Sequence, residues 1–224
     1  MTSHDESAHQ GAERLDRPRD PNLQSAPLDW DERYSSAEQM WSGNPNSTLV
    51  ALVENLEPGS VLDVGCGEGA DAIWLADRGW QVTAIDVSRV AIDRGKAHAQ
   101  KAGVDVEWRH CGLLEANVPP QGFTLVSAQY PALLRSESHD AERALLSAVA
   151  PGGHLLFVHH ADIDVELALS HGCNPDDYVS PADVVALLHG DWKVIFNERR
   201  PRAVAAGAGA GHVEDLVVFA QRTR

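Results

Sequence analysis

Two hydrophobic patterns alternate along most of the 224-residue chain. Short runs rich in apolar residues, as in buried strands, lie at 61–65, 80–86, 104–110, 123–129, 154–160, 192–199 and 213–222. Between them, apolar residues recur three and four positions apart, which predicts helices over about 47–57, 70–78, 89–101, 137–150 and 181–189. Strands that alternate with helices form parallel sheets covered on both faces. We therefore predict a doubly wound, Rossmann-like α/β domain with a mostly parallel, seven-stranded sheet and helices on both faces.

The two ends of the chain depart from this alternation. The last two predicted strands have no helix between them, so we expect a hairpin that adds one antiparallel strand. Residues 1–27 are polar and contain three prolines, which predicts a disordered arm before a domain at 28–224. Residues 28–45 are too aromatic for a linker. We expect them to form a lid over a ligand, with Trp41 either against that ligand or packed on the sheet edge.

Composition narrows the range of partners. The formal net charge of −15 disfavours nucleic acids and anionic membrane surfaces, and favours a small-molecule substrate. No apolar run approaches the roughly 18 residues of a membrane-spanning helix, and the N-terminus lacks the apolar stretch of a secretory signal. The cysteines Cys66, Cys111 and Cys173 are widely spaced and form no disulfide framework, which favours a reducing, cytoplasmic setting.

The stretch VLDVGCGEG (61–69) comprises the first predicted strand and the glycine-rich turn that follows it. Gly65, Gly67 and Gly69 let the backbone turn sharply and approach a ligand, and the next helix points free N–H groups at the same place. In an open α/β sheet, ligands bind in this crevice at the carboxyl ends of the strands. The alternative is a tight turn without a ligand.

Asp86 ends the second predicted strand, about 20 residues after the glycines. An acid there can accept hydrogen bonds from both hydroxyls of a ribose, which predicts a nucleoside-containing ligand; a turn-capping role is the alternative. Residues 65–70 also match a dinucleotide-binding pattern, which is a weak signal by itself. Asp63 and Glu68 would repel a pyrophosphate, whereas S-adenosylmethionine carries an amino group and a sulfonium, so electrostatics favour this cofactor over NAD.

The stretch VLDVGCGEGADAIWLADRGWQVTAIDVS (61–88) resembles motifs I and II of class I S-adenosylmethionine-dependent methyltransferases. FTLVSAQY (123–130) resembles the fourth-strand motif of that family, and LLSAVAPGGHLLFV (145–158) resembles its segment around the fifth strand. The resemblance covers about residues 46–222. The aromatic segment before it is similar to small-molecule methyltransferases of the thiopurine and tellurite-resistance type. Membership implies S-adenosylmethionine as cofactor and S-adenosylhomocysteine as product.

The resemblance also implies roles for individual residues. It assigns the cofactor site to Asp63, Gly65, Cys66, Gly67, Gly69, Asp86, Val87, Gly112, Leu113, Gln129 and Trp41. The turn at 65–67 would approach the methionine part, Asp86 would bind the ribose, and Val87 would lie beside the adenine. Asp63 would order the loop and the amino end of the cofactor, with a plain capping role as its alternative. Gln129 would face the sulfonium and the substrate.

One position departs from the family pattern. Gly112 stands where these enzymes usually have an Asp that bonds the adenine amino group. The resemblance then assigns this contact to backbone groups or to a neighbour such as Cys111 or Leu113.

Two histidines, His159 and His160, end the fifth predicted strand and are the candidates for a catalytic role. Asp162 and Asp164 follow closely, but successive strand residues point to opposite faces, so we predict no metal site. One of the two histidines could act as a general base near the substrate. Arg135 is the nearby cation that could attract an anionic substrate, with a solvated surface position as its alternative.

The predicted reaction is in-line transfer of a methyl group from S-adenosylmethionine to an O, N, S or C nucleophile of a small molecule. Two alternatives stay open at this point: a non-catalytic sensor or scaffold that binds S-adenosylmethionine, and an NAD-dependent oxidoreductase. Formation of S-adenosylhomocysteine separates the first alternative from the enzyme, and cofactor binding separates the second.

Overall fold

Seven strands form one sheet in the computed structural model, which describes residues 29–170, 173–202, 207 and 210–224. The strands are β1 (Ser60–Val64), β2 (Gln81–Asp86), β3 (Glu107–His110), β4 (Phe123–Gln129), β5 (Val149–His160), β6 (Trp192–Pro201) and β7 (Glu214–Arg222). The helices are α1 (Trp30–Ser35), α2 (Ser47–Val53), α3 (Ala70–Asp77), α4 (Arg89–Ala102), α5 (Asp140–Ala148), α6 (Val165–Ser170) and α7 (Pro181–Leu187). The arm predicted at 1–27 lies outside the described residues.

The strand order is β3-β2-β1-β4-β5-β7-β6. Strands β1 to β5 pair in parallel, and β7 runs antiparallel to both β5 and β6. The predicted Rossmann-like sheet and its one antiparallel strand are therefore confirmed. The order reverses between β1 and β4, and the crevice at the carboxyl ends of these two strands is the usual ligand site of such sheets.

Both faces of the sheet are covered, because its strands carry apolar side chains on both sides. On one face, Leu62 and Phe157 pack with Leu145 of α5 in one core cluster. On the other face, Val61 and Leu156 belong to a second cluster, whose further members include Leu49, Leu75 and Trp80. This two-sided burial holds the strand ends rigid, so the loops that leave them are fixed in place.

The structure differs from the predicted elements at several boundaries. The helix predicted at 47–57 ends at Val53, and α1, α6 and a 3-10 helix at 175–177 had not been predicted as helices. Strand β5 begins at Val149 rather than at His154. The Pro-Gly-Gly at 151–153 indicated only a helix stop, but here it lies inside the strand, where the register with β4 shifts.

Candidate cofactor and acceptor site

A cavity of about 640 Å³ lies at the carboxyl ends of the parallel strands. Its size is typical of pockets that hold ligands of drug-like size, roughly 300–1,000 Å³. Its walls include these predicted site residues: Trp41, Asp63, Gly65, Cys66, Gly67, Asp86, Val87, Gly112, Leu113, Gln129 and His160. The fold thus brings together residues from the first half of the chain with the end of β5.

The glycines of the loop after β1 serve two different purposes. Gly67 has a φ of 53°, and a Cβ there would lie 2.9 Å from the Tyr34 hydroxyl and 3.2 Å from Trp41 Nε1. A side chain would therefore push the aromatic residues off the loop. Gly69 does not line the cavity; a Cβ there would run into the ring of Trp108. The close approach of Trp108 explains the third glycine without a ligand.

Asp86 holds the same loop from the end of β2. One carboxylate oxygen accepts a hydrogen bond from the Gly67 N–H and the other from the Ser88 N–H, each at 2.8 Å. Burial raises the pKa of Asp86, and the two N–H donors oppose this rise. The capping role is thus present in the structure. Because each carboxylate oxygen accepts more than one hydrogen bond, Asp86 can also receive ribose hydroxyls.

Three buried carboxylates, Asp63, Asp71 and Asp86, lie in the wall of the cavity. Asp63 is 2% exposed, and its Oδ2 has no hydrogen-bond partner among the described residues. Burial raises the pKa of Asp63 well above its ordinary value, and the charges of Asp71 and Asp86 raise it further. Asp71 accepts two hydrogen bonds of 2.7 Å from Asn46, one from its backbone and one from its side chain.

These three carboxylates have no salt-bridge partner within the described part of the chain. Buried charges are normally paired, so this wall suits a ligand that brings positive charge. S-adenosylmethionine fits, because its ammonium and sulfonium are cationic. The pyrophosphate of NAD does not fit, since Asp63 and Asp71 would repel it. Sequence reasoning missed Asp71, although an acid in the first turn of α3 could have indicated it.

Glu68 does not belong to this negative wall, which corrects part of the sequence argument. Its side chain is 4% exposed and pairs with Arg94 at 2.9 Å. Its oxygens also accept hydrogen bonds from the N–H groups of Met40 and Trp41. Arg94 donates in addition to the Ala37 carbonyl at 2.7 Å. The charge of Glu68 is therefore neutralised and ties the aromatic segment to the loop after β1.

The aromatic segment is attached at further points. Asp31 accepts hydrogen bonds from the Ser88 hydroxyl at 2.6 Å and from the Val90 N–H at 3.2 Å, at the start of α4. Tyr34 is buried, and its hydroxyl accepts a hydrogen bond from Trp41 Nε1 at 2.9 Å. Trp41 thus lines the cavity and also packs on Tyr34. The segment covers the loop that the cofactor would touch.

Replacing Glu68 by Gln is expected to lower the free energy of unfolding by about 2 kcal/mol, because Arg94 would lose a largely buried partner. For a chain of this size, the melting temperature should fall by roughly 4–8 °C. The exposed Glu38 of the same segment gives the matched control, Glu38→Gln, which should melt like the wild type. Thermal unfolding monitored by circular dichroism measures both. Equal melting temperatures for the two variants would contradict the assigned role of Glu68.

A second cluster, the Tyr130 cluster, consists of Tyr130, His160, Arg202 and Asp215. The Tyr130 hydroxyl donates to Asp215 Oδ2 at 2.8 Å and accepts from Arg202 Nε at 2.9 Å. The His160 ring stacks on Tyr130, with ring centroids 4.3 Å apart. Tyr130, His160 and Arg202 line the cavity, and Asp215 is buried behind them. Tyr130 also has a φ of 53°, a costly backbone conformation that often marks a functional site.

Among the members of this cluster, only His160 had a role assigned from the sequence. Tyr130 follows Gln129 directly, so its place at the end of β4 gave a usable signal. No sequence signal marked Arg202 and Asp215, because only the pairing of β6 with β7 brings these two residues to this edge of the sheet. Gln129 itself is buried, and its Oε1 has no partner among the residues with described positions.

The structure separates the two histidines that end β5. His160 lines the cavity, whereas His159 does not. The His159 Nδ1 accepts a hydrogen bond from the His160 N–H at 3.1 Å. Burial lowers the pKa of His159 to about 4, so this ring stays neutral at physiological pH. The alternation of strand residues, used above against a metal site, also explains this difference.

Arg135, the cation suggested to attract an anionic substrate, does not line the cavity. Its guanidinium pairs with Asp183 at the start of α7. Arg202, in contrast, lines the cavity.

The adenine end of the predicted site is formed by residues 111–113. Cys111 donates its N–H to the Asp86 carbonyl at 3.0 Å, and Gly112 and Leu113 line the cavity. A Cβ at Gly112 would run into the carboxylate of Glu115. The clashing atom is the far end of an exposed, flexible side chain that can move aside, so the backbone at Gly112 does not exclude an Asp there.

Neither a metal cluster nor a membrane span is found where the chain is described. No three His, Cys, Asp or Glu side chains of those residues come together as a group that could hold a metal ion. None of the helices there is both long and apolar enough to cross a membrane.

Comparisons with known proteins agree with this geometry. Residues 61–153 match the model of a methyltransferase domain family. An uncharacterized methyltransferase of Mycobacterium tuberculosis (strain H37Rv) is 32% identical over 122 residues, which are 54% of this chain and 61% of that protein. A ubiquinone biosynthesis O-methyltransferase of Alkalilimnicola ehrlichii is 35% identical over 103 residues, 46% of this chain and 42% of that protein. The chain thus spans about three fifths or less of the length of these relatives.

The N-methyltransferase NodS of Bradyrhizobium japonicum, solved in complex with S-adenosylhomocysteine, has the same fold. It superposes with a TM-score of 0.60 at 20% identity, over 90% of this chain and 91% of NodS. Together with the relatives, this confirms what motif I predicted for the matched region: residues 61–153 are a methyltransferase domain of the class I type, whose cofactor is S-adenosylmethionine.

Proposed function

We propose that this protein transfers a methyl group from S-adenosylmethionine to a small-molecule acceptor. The observation that carries the proposal is the buried carboxylate wall, which has no cationic partner among the described residues and continues past Gln129 to the Tyr130 cluster in one cavity. A cationic cofactor would compensate the wall, and the far end would hold the acceptor.

The residues of the first half would bind and orient the cofactor. Asp86 would accept hydrogen bonds from the ribose hydroxyls while holding the loop. Asp63 would accept one from the ammonium through Oδ2, which has no partner among the described residues. Residues 111–113 and Val87 would lie along the adenine. Gln129 Oε1, for which the described part of the chain offers no partner, would face the sulfonium. These assignments agree with the roles that the resemblance implied.

When bound, the cofactor supplies a methyl carbon on a sulfonium, which is already a strong electrophile. The chain then has to align the acceptor with that carbon and keep water out. Tyr34 and Trp41 would form the cover over the loop, in agreement with a lid at 28–45. The strand ends below are fixed by the two cores, so the alignment rests on rigid elements.

The walls at the far end favour an acceptor with an apolar body. Tyr130, Pro131, Ala132 and Leu133 line this part of the cavity. The net charge of −15 disfavours a polyanionic acceptor such as a nucleic acid. One relative is an O-methyltransferase of ubiquinone biosynthesis by name, which supports a small organic acceptor here as well.

Turnover tests the proposal. We expect the purified full chain to form S-adenosylhomocysteine from S-adenosylmethionine when a phenol, thiophenol or amine is supplied, and not without an acceptor. Mass spectrometry of both products measures this. A chain that binds S-adenosylmethionine but forms no S-adenosylhomocysteine with any of these acceptors would instead support a sensor or scaffold.

A further inference from the structure

We propose that His160, supported by Asp215, is the base that removes the proton from a hydroxyl group of the acceptor. The inference deepens the proposed methyl transfer and rests on it. It gives the Tyr130 cluster a chemical task and names the class of acceptor: a hydroxyl compound with an apolar body.

The geometry around His160 is that of a base backed by an acid. Its Nδ1 lies 3.8 Å from Asp215 Oδ1, and neither atom has a hydrogen-bond partner among the described residues. The ring is held between Tyr130 and His212, whose centroids lie 4.3 Å and 3.8 Å away. A shift of less than 1 Å would close the contact to an Nδ1–H···Oδ1 hydrogen bond. Nε2 is then the nitrogen left for the cavity.

The groups around His160 keep it neutral and ready to accept a proton. Burial lowers the pKa of His160, the charges of His212 and Arg202 lower it further, and the neighbouring Asp215 opposes them. The Tyr130 hydroxyl, whose pKa burial raises, stays protonated and donates to Asp215. Arg202 Nε lies 3.7 Å from Asp215 Oδ1 and balances its charge. His159 faces away from the cavity and is neutral as well.

The step balances with S-adenosylmethionine as the only co-reactant. The acceptor hydroxyl gives its proton to His160 Nε2, and the oxygen forms a bond to the methyl carbon. The carbon–sulfur bond breaks, and its electron pair stays on sulfur in S-adenosylhomocysteine. Asp215 stabilises the imidazolium, which then releases the proton to solvent.

The need for a base selects a hydroxyl among the possible nucleophiles. A thiol ionises near pH 8.5 without help, and a neutral amine attacks through its free electron pair before it loses a proton. A phenolic hydroxyl has a pKa near 10 and must be deprotonated as it attacks. A cationic acceptor is disfavoured by Arg202 and by the sulfonium.

The first test compares acceptors. Wild type, His160→Gln and the control His154→Gln, six residues earlier in the same strand and outside the cavity wall, are assayed with a series of substituted phenols and with thiophenol. Thiophenol ionises without a base at neutral pH. We expect His160→Gln to lower kcat with phenols by about 100-fold or more and to lose the acidic limb of the pH profile. Its turnover of thiophenol, and all rates of His154→Gln, should stay near wild type.

The second test needs no turnover. Imidazole pKa values are measured by NMR titration in wild type and in Asp215→Asn, with calorimetric binding of S-adenosylhomocysteine as the check on folding. We expect Asp215→Asn to lower the pKa of His160, because the carboxylate that favours the imidazolium is gone. An unchanged pKa would show that Asp215 does not stabilise the imidazolium of His160.

Three results would overturn the role of His160: full phenol turnover by His160→Gln, a wild type that binds S-adenosylhomocysteine but methylates no phenol, or an unchanged His160 pKa in Asp215→Asn. A wild type that binds neither S-adenosylmethionine nor S-adenosylhomocysteine would instead overturn the proposed function itself.

Discussion

Asp63→Asn is expected to stabilise the cofactor-free protein and to weaken its binding of S-adenosylmethionine. The Asp63 carboxylate is buried, one of its oxygens has no partner in the described part of the chain, and Asp71 and Asp86 repel it. An amide of the same shape removes the charge and can donate to the neighbouring carboxylates. We expect a gain of about 1–2 kcal/mol in the free energy of unfolding. The lost charge should reduce cofactor affinity at least tenfold.

The same substitution should change how stability depends on pH. The pKa of Asp63 is raised in the folded state, so the folded protein holds this proton more tightly than the unfolded chain does. The free energy of unfolding therefore falls as the pH rises from about 4 through the raised pKa. In Asp63→Asn, this contribution to the pH dependence of the free energy of unfolding should be missing.

Urea unfolding at several pH values, with and without S-adenosylmethionine, measures these effects. Asp93→Asn is the matched control, because Asp93 is exposed on α4. It should behave like the wild type in both stability and binding. A cofactor-free Asp63→Asn protein that is less stable than the wild type, or that binds the cofactor equally well, would show that Asp63 is structural.

Asp86→Ala is expected to lower the affinity for S-adenosylhomocysteine by about 3 kcal/mol or more, roughly 150-fold. The variant loses the acceptor for the ribose hydroxyls and also the bonds to the N–H groups of Gly67 and Ser88. Both losses act in the same direction, so the affinity alone does not separate them.

A comparison of adenosine with 2′-deoxyadenosine separates the two roles. Wild type should bind adenosine more tightly, because only adenosine offers both hydroxyls to Asp86. In Asp86→Ala this difference should disappear, whatever happens to the loop. If the variant still prefers adenosine to the same degree, Asp86 caps the turn and does not contact the ribose. Competition against bound S-adenosylhomocysteine gives the dissociation constants of adenosine and of 2′-deoxyadenosine.

The parts of the fold and site that depend on local pattern could be predicted from the sequence. The glycine turn and the aspartates at the ends of β1 and β2 lie within 61–86, where the apolar runs define the strands and parallel strands bring their carboxyl ends together. The antiparallel strand followed from the missing helix between the last two strands. In these cases the decisive residues are close in sequence or fixed by strand order.

The parts that depend on distant side-chain partners could not be predicted. Glu68 lies in the motif, yet its partner Arg94 and the N–H groups of Met40 and Trp41 are 26 to 28 positions away. Tyr130 meets Asp215 across 85 positions. No local sequence pattern indicates which charges pair over such separations. Glu68 was therefore counted as free negative charge, and the contacts within the Tyr130 cluster were not predicted.

One signal in the sequence could have been used further. Strand alternation places His160 on the same side as Val158 and Leu156, opposite His159. This alternation disfavours a shared metal and also means that only one of the two histidines can face a given side of the sheet. The choice between them required the position of the cavity, which the structure supplies.

Calorimetric titration of the wild-type chain with S-adenosylmethionine, S-adenosylhomocysteine and NAD tests the central claim most directly. We expect the first two to bind with micromolar dissociation constants, near −8 kcal/mol, and NAD to give no measurable heat of binding. Binding of NAD, with no binding of S-adenosylmethionine or S-adenosylhomocysteine, would contradict the assignment of the carboxylate wall to a cationic cofactor.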